Sequence, residues 1–167
     1  ELFGSDEAPN ISNGRKVEAQ WAFFIRTSND RNILKPRLQK TDLGAASLFD
    51  IALQNQHISV SIKLDHGGVT IGVDIPSKAT VDRENFQLAL EDESFQDGFL
   101  ASLQLLPGGS TIGFEEDRID CLTLDTSHLT DFGEKLCSSE TPFSIQNHIN
   151  VDEAIEVKEA LSFSIAD

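Results

Sequence analysis

The chain lacks methionine and tyrosine altogether and carries one tryptophan and two cysteines among its 167 residues. Cys121 and Cys137 are too few for a disulfide scaffold, and they fit either one bridge or two buried thiols. Because there is no methionine, we expect a trimmed N-terminus, which leaves secretion open, and the sequence does not fix a compartment. Apolar runs stay well short of the roughly 20 residues that cross a bilayer, so we expect no membrane segment.

Positive charge is also scarce, since 13 Lys and Arg stand against 28 Asp and Glu, for a formal net charge of −15. Seven of the basic residues fall between positions 15 and 40, whereas 23 acidic and six basic residues follow from position 41 onward. Binding to phosphates needs a dominant positive field, so nucleic acid is excluded as a partner for most of the surface. An acidic surface favours a basic protein partner, a metal ion or simple solubility.

The motifs of common catalytic sites are missing as well. Gly67 and Gly72, like Gly108 and Gly113, have the spacing of a phosphate-binding loop, but Val-Asp and Phe-Glu follow where Lys and Ser or Thr are needed. Ser110 lacks the second glycine of a nucleophile elbow. The histidines show no metal-binding spacing; they are His57, His66, His128 and His148. No catalytic residue is therefore predicted, and we expect the protein not to be an enzyme.

What the sequence does contain is a pattern of alternating apolar and polar residues, which is typical of strands. The clearest case is Ile58, Val60, Ile62 and Leu64, which predict a half-buried strand that turns back through Gly67 and Gly68. Similar patterns predict strands over 16–27, 33–40 (at a sheet edge, because of Pro36), 85–90, 118–125, 142–149 and 161–165. Capping residues and apolar spacing predict short helices over 41–53, 126–137 and 151–160.

One stretch is written twice: HGGVTIGVD at 66–74 returns as PGGSTIGFE at 107–115. The similarity extends back to residues 61–64 and 102–105, so the repeated unit is predicted to be strand, Gly-Gly turn, strand. This predicts a mainly β fold, an antiparallel β-sandwich or barrel-like domain with a duplicated hairpin and a few short helices. The alternative is an α+β fold with helices on one face of an antiparallel sheet. Residues 1–14 are expected to form a flexible lead and residues 15–167 a single β-rich domain.

Two acidic clusters are the candidate binding residues. The first consists of Glu91, Asp92, Glu93 and Asp97, and the second of Glu115, Glu116, Asp117 and Asp120. Calcium takes six to eight oxygen ligands, which loops between strands can present, although neither cluster has the spacing of a calcium-binding loop. We therefore predict no cofactor and no metal ligand, with calcium as an alternative.

These observations favour a non-enzymatic protein-interaction module with an acidic contact surface, of the inhibitor or immunity type or a component of an assembly. Its partner is expected to be a protein with a basic surface, and neither nucleic acid nor a membrane. One alternative is a calcium-stabilised extracellular or surface-binding module. The other is a hydrolase whose site is assembled near the repeated hairpins from Asp65, His66, Asp74 and Glu115.

Overall fold

The structure, a computed structural model, describes residues 2–4, 19–38 and 55–156. The strands are β1 (Leu2–Gly4), β2 (Ala19–Ile25), β3 (Ser59–Asp65), β4 (Gly68–Ile75), β5 (Thr111–Phe114), β6 (Asp117–Asp120) and β7 (Phe143–Asn150). The helices are α1 (Ser28–Leu38), α2 (Thr80–Leu90), α3 (Glu93–Leu103), α4 (Thr126–Leu136) and α5 (Val151–Glu156), with a 3-10 turn at Cys121–Thr123. The described strands form one antiparallel sheet in the order β1-β2-β3-β4-β7-β5-β6.

The prediction of an antiparallel β-rich fold with short helices is confirmed, and the fold takes the α+β form. One face of the sheet, called the apolar face below, contributes Ile75, Ile112, Phe114 and Phe143 to the core. Helices α2, α3 and α4 cover this part of the apolar face with Leu90, Leu103, Leu129, Phe132 and Leu136. Because side chains alternate along each strand, the opposite face presents the intervening residues, and it is called the polar face below.

The repeated sequence is not a duplicated hairpin, because its first arms differ in structure. Residues 59–65 form strand β3, which turns through His66 and Gly67 into β4, whereas Ser102 and Leu103 end helix α3. What the two copies share is a glycine turn leading into a strand, with a positive φ at Gly68 (142°) and at Gly109 (81°). The strands that follow, β4 and β5, lie on either side of β7. The repeat therefore produces the two neighbours of one central strand.

Two segments predicted as strands are helices, one because a capping residue starts the helix and the other because of the spacing of its inner-face residues. The segment 33–40 was predicted as an edge strand, yet α1 runs over it to Leu38. Thr27 caps this helix, because its hydroxyl accepts from the Asp30 N–H at 3.3 Å and its carbonyl oxygen accepts from the Arg31 N–H at 3.0 Å. The segment 85–90 lies in α2, where Asp82, Phe86 and Leu90 recur every four residues on the inner face. A six-residue alternation is too short to outweigh that spacing.

Strand β3 is present as predicted, but the burial of its two faces is reversed. Ser59 and Ser61 are 5% and 8% exposed, whereas Val60 and Leu64 are 46% and 51% exposed. The serines pair with Ile25 and Phe23 of β2 on one side and with Asp74 and Gly72 of β4 on the other. In the described part of the chain, the helical layer covers the apolar face over β4, β7 and β5 and leaves these aliphatic side chains exposed.

A buried arginine joins the helical layer to the sheet. The Arg83 guanidinium in α2 donates five hydrogen bonds, all to backbone carbonyl oxygens. The acceptors are Ile75 and Pro76 at the end of β4, Leu136 at the end of α4, and Ser139 and Thr141 before β7. Burial lowers the pKa of Arg83. This one side chain therefore fixes the ends of two strands and of one helix relative to one another.

The remaining predicted elements divide into confirmed ones and ones outside the described residues. Strands β2 and β7 and helix α4 lie where they were predicted, and α5 begins with the Asn150 side chain accepting from the Glu153 N–H at 2.9 Å. The strand predicted over 118–125 ends at Asp120 and continues as the 3-10 turn. The helix at 41–53, the strand at 161–165 and most of the N-terminal lead lie outside the described residues, whereas Leu2–Gly4 pair with β2.

Candidate functional site

The polar face carries a row of hydroxyl and charged side chains that crosses five strands. Ser61 on β3, Asp74 on β4, Ser144 on β7 and Arg118 on β6 follow one another across the sheet, and the cross-strand register places them on the same face. Asp74 pairs directly with Ser144, and Ser144 pairs with Gly113, which in turn pairs with Arg118. The row therefore places a carboxylate and a guanidinium on the same surface.

Arg118 reaches across β5 because Gly113 has no side chain. A Cβ at Gly113 would lie 2.4 Å from the Asp117 carbonyl oxygen, so only glycine fits between these strands. The guanidinium donates to Ser144 Oγ at 2.7 Å and to Thr111 Oγ1 at 3.0 Å, and also to the carbonyl oxygens of both residues. Burial lowers its pKa, and the Asp74 charge opposes that shift. All of these acceptors are neutral groups.

A cavity of about 570 Å³ opens beside Asp74 on the polar face. Its aromatic wall is formed by Phe3, Trp21 and Phe23, and Phe3 stacks on Phe23 with ring centroids 5.5 Å apart. The polar lining residues are Asn55, Ser59, Ser61 and Asp74. Pro76, Pro142 and Gly4 complete the lining. Aromatic carbons and oxygen acceptors thus face the same space.

Inside the cavity, the Asp74 carboxylate accepts a hydrogen bond from the Ser61 hydroxyl at 2.5 Å. A carboxylate has about four lone-pair positions, so one hydrogen bond leaves it with further acceptor capacity. No ion pair in the described ranges involves Asp74. The nearest cation along the row, Arg118, is bound to groups on β5 and β7 instead.

Trp21 lies at the exposed end of the aromatic wall, with 44% of its surface accessible. Lys63, its cross-strand partner, places its ammonium nitrogen 5.2 Å from the ring centroid. The same ammonium lies 2.8 Å from a carboxylate oxygen of Asp65, which lowers the pKa of Asp65. The indole therefore already interacts with one cation and still has surface open to a ligand.

The first predicted acidic cluster lies where α2 turns into α3. Asp92 is the N-cap of α3 and accepts from the Ser94 hydroxyl at 2.8 Å and the Ser94 N–H at 2.9 Å, and these bonds lower its pKa. Glu91, Glu93 and Asp97 are exposed around it. Asp92 therefore has a structural role, and the other three carboxylates form an acidic surface.

The second predicted cluster lies at the turn between β5 and β6. Glu115 and Glu116 form the turn, and Asp117 begins β6 with the Lys135 ammonium 3.8 Å away. Asp120 accepts from the Leu122 N–H at 2.8 Å and starts the 3-10 turn. A shallow depression of about 400 Å³ adjoins this turn and is lined by Glu116, Asp117, His128, Asp131 and Lys135, among others. The two acidic clusters occupy separate elements, and the structure places neither of them at the aromatic cavity.

The four residues of the hydrolase alternative are not brought together. Asp65 pairs with Gly68 at the start of β4, whereas Asp74 lies six positions further along the same strand. At about 3.3 Å per residue, the two carboxylates are roughly 20 Å apart. His66 is exposed in the hairpin turn, and Glu115 is exposed in the β5–β6 turn. The geometry therefore gives no support to a shared catalytic role for these side chains.

A buried polar cluster lies behind the start of β3. Asp82 on α2 accepts from the Ile58 N–H at 2.7 Å and forms an ion pair with Arg26. His57 is buried beside it, with Nδ1 3.8 Å from the carboxylate. Burial lowers the pKa of His57, which outweighs the opposite effect of Asp82. These contacts tie the segment before β3 to α2.

The described residues contain no group of three or more His, Cys, Asp or Glu side chains arranged to hold a metal ion. Calcium binding stays an untested alternative to the prediction of no cofactor. Among the helices that the structure describes, none has the length and apolar character to cross a membrane. Cys121 is buried and Cys137 exposed, and both are free thiols. Comparison with known protein families and with curated proteins finds no match.

The sequence did not identify the aromatic cavity, although three signals were present. Trp21 is the only tryptophan, and it falls in a predicted strand. Ser59 and Ser61 occupy alternate positions of the strand predicted around residues 58–64, and Asp74 lies two positions after Gly72 in the strand that returns from the Gly-Gly turn. Linking them required the pairing of β2 with β3 and of β3 with β4 in register. Of the residues named for the hydrolase alternative, Asp74 alone lines the cavity.

Proposed function

We propose that the protein is a non-enzymatic interaction module that binds a protein with a basic surface, as an inhibitor, an immunity-type protein or a component of an assembly. One observation carries the proposal: within residues 55–156, the acidic side chains have few cationic partners. Residues 55–156 contain 19 acidic and five Lys or Arg side chains. Two of these five, Arg83 and Arg118, donate their hydrogen bonds to carbonyl and hydroxyl oxygens rather than to carboxylates.

The excess acid is well placed to act on a partner. Three carboxylates at the α2–α3 corner, Glu91, Glu93 and Asp97, are exposed, as are Glu115 and Glu116 at the β5–β6 turn. Exposed charges of one sign raise the rate of association with an oppositely charged partner, and salt screens that effect. We therefore expect the association rate to fall steeply as ionic strength rises.

The first experiment is capture from a lysate of the cells that make the protein, with the intact chain as bait and elution in steps from about 50 to about 500 mM NaCl. The captured protein is then purified, and its association and dissociation rates are measured at both salt concentrations. A basic partner whose association rate falls at least about tenfold supports the proposal. An association rate that does not change with salt contradicts it.

A charge-neutral variant tests the acidic surface directly. Glu91→Gln, Glu93→Gln and Asp97→Asn together remove three charges and leave the Asp92 cap intact. The matched control, Glu140→Gln with Asp152→Asn and Glu153→Gln, removes the same charge at other exposed positions. If the α2–α3 corner faces the partner, the first variant slows association more than the control does. Equal rates for both variants would rule out that corner as the contact surface.

A further inference from the structure

The cavity on the polar face differs from the acidic clusters in having a built lining. Aromatic carbons from two strands form one side, and the Asp74 carboxylate with two serine hydroxyls forms another. Ligand pockets typically enclose about 300–1,000 Å³ and combine apolar walls with a few placed polar groups, and about 570 Å³ falls within that range. The lining therefore has the size and the composition of a binding site.

The charge of the lining selects a cationic ligand. Among the lining residues that the structure describes, Asp74 is the one that carries a charge, and its described hydrogen bond comes from the neutral Ser61 hydroxyl. An incoming cation would pair with a partly buried carboxylate, where an ion pair is screened less by water than it is at the surface. An anionic ligand would meet like charge, and a neutral ligand would leave the carboxylate without a counter-charge.

The shape of the wall selects a planar cation. Guanidinium groups stack on aromatic faces and carry five donors in one plane, whereas an ammonium is a compact point charge. Trp21 and Phe23 supply aromatic surface beside acceptor oxygens of Asp74, Ser59 and Asn55. The Lys63 contact with Trp21 demonstrates that a cation is tolerated over this indole.

We infer that this cavity binds an arginine side chain of a partner protein, with the guanidinium between the aromatic wall and Asp74. The cavity is larger than one side chain, so neighbouring residues of the partner also enter it. This inference rests on the proposed function, since it names the group that the basic partner inserts. It assigns recognition to the polar face, separate from the acidic surface that steers association.

The only tryptophan of the chain lines the cavity, which makes intrinsic fluorescence a site-specific readout. Nα-acetyl-arginine amide is titrated into the intact protein, with Nα-acetyl-citrulline amide as the uncharged analogue of the same shape. We expect saturable binding with a dissociation constant in the range of about 1–10 mM for the arginine probe. The citrulline probe is expected to bind at least about tenfold more weakly, because it forms no ion pair with Asp74. Equal binding of the two probes overturns the inference.

Two variants locate the binding. Asp74→Asn keeps an acceptor for Ser61 and removes the charge, so it should reduce arginine binding at least about tenfold. Asp97→Asn makes the same change on the exposed surface of α3 and should leave binding unchanged. Unchanged binding to a folded Asp74→Asn variant overturns the inference. If that variant does not fold, the comparison of arginine with citrulline in the unaltered protein still decides.

A lysine probe tests the preference for a planar cation, and the triple surface variant separates binding in the cavity from steering by the acidic surface. Nα-acetyl-lysine amide should bind more weakly than the arginine probe, and equal affinity overturns the choice of a planar cation. The triple variant at Glu91, Glu93 and Asp97 should still bind the arginine probe, even where it associates slowly with the partner. If the arginine probe binds but no partner associates in a salt-dependent way, the proposed function alone is refuted. If a partner associates in a salt-dependent way but the cavity does not prefer the arginine probe, this inference alone is refuted.

Discussion

Replacing Arg83 is the most demanding test of how the fold is held together. The side chain is almost completely buried and has no carboxylate partner among the described residues; its five hydrogen bonds all go to backbone carbonyl oxygens. Arg83→Met keeps a similar apolar stem and removes every donor. The five carbonyl groups then lose their partner in a region where water has little access, and a buried acceptor without a partner is costly.

The size of the effect follows from two opposing contributions. Hydrogen bonds from a charged donor contribute about 1.5–3 kcal/mol each, so five of them contribute on the order of 10 kcal/mol. Burying the guanidinium without a counter-ion costs several kcal/mol in the unaltered protein, which offsets part of that gain. The difference predicts that Arg83→Met lowers the free energy of unfolding by about 3–5 kcal/mol.

Urea unfolding followed by circular dichroism measures this difference, provided that the m-value is unchanged. Lys78→Met is the matched control, because Lys78 is exposed just before α2, and it should change stability by less than about 0.5 kcal/mol. Arg83→Lys keeps the charge but donates from a single nitrogen, so an intermediate loss is expected. A loss below about 1 kcal/mol for Arg83→Met would refute the reasoning, because the carbonyl groups would then be satisfied without the guanidinium.

Three further predictions concern other parts of the fold. Burial holds the pKa of His57 below 6.5, so below about pH 6.5 the unfolded chain binds a proton that the folded chain does not. The free energy of unfolding should therefore decrease as the pH is lowered through this range, and it should decrease less in the His57→Gln variant. Asp92→Ala should lower the melting temperature by removing the α3 cap, while Asp92→Asn keeps the cap and should not. Gly68→Ala would bring a Cβ to 2.1 Å from the Ile149 carbonyl oxygen and should cost more than about 2 kcal/mol in urea unfolding, whereas Gly98→Ala, with open space around it in α3, should stabilise by about 0.5–1 kcal/mol.

The strands with long alternating patterns could be predicted from sequence, and the helices could be predicted less well. Strand β7 and the β3–β4 hairpin each extend over seven or eight residues, so their period is clear. Helices α2 and α3 were obscured because residues 85–90 of α2, and residues 102–105 at the end of α3 and just beyond it, alternate by chance. The capping residues Thr27 and Asp92 were visible as residue types, but Thr27 was assigned to the predicted strand over 16–27 and Asp92 to the first acidic cluster.

The repeat shows why local similarity did not determine structure. Residues 102–105 resemble residues 61–64, yet the Asp92 cap and the four-residue spacing of Phe95, Phe99 and Leu103 commit Ser102 and Leu103 to the end of a helix. The later half of each copy does share a structure, because β4 and β5 both pair with β7. The first half of the repeated pattern therefore lies in a strand in one copy and at the end of a helix in the other, because different residues precede it.

The location of the cavity depends on a property that alternation does not contain. An alternating strand specifies which residues share a face, and it does not specify which face other elements cover. On β3 the aliphatic residues were expected to be the buried ones, but Ser59 and Ser61 lie on the more enclosed side, the face that the register with β2 and β4 gives them in common with Phe23 and Asp74. The position of Asp74 beside Trp21 and Phe23 follows from that register. Any account of binding by this protein must therefore begin from the strand pairing, because the two acidic clusters predicted from the sequence lie on other elements.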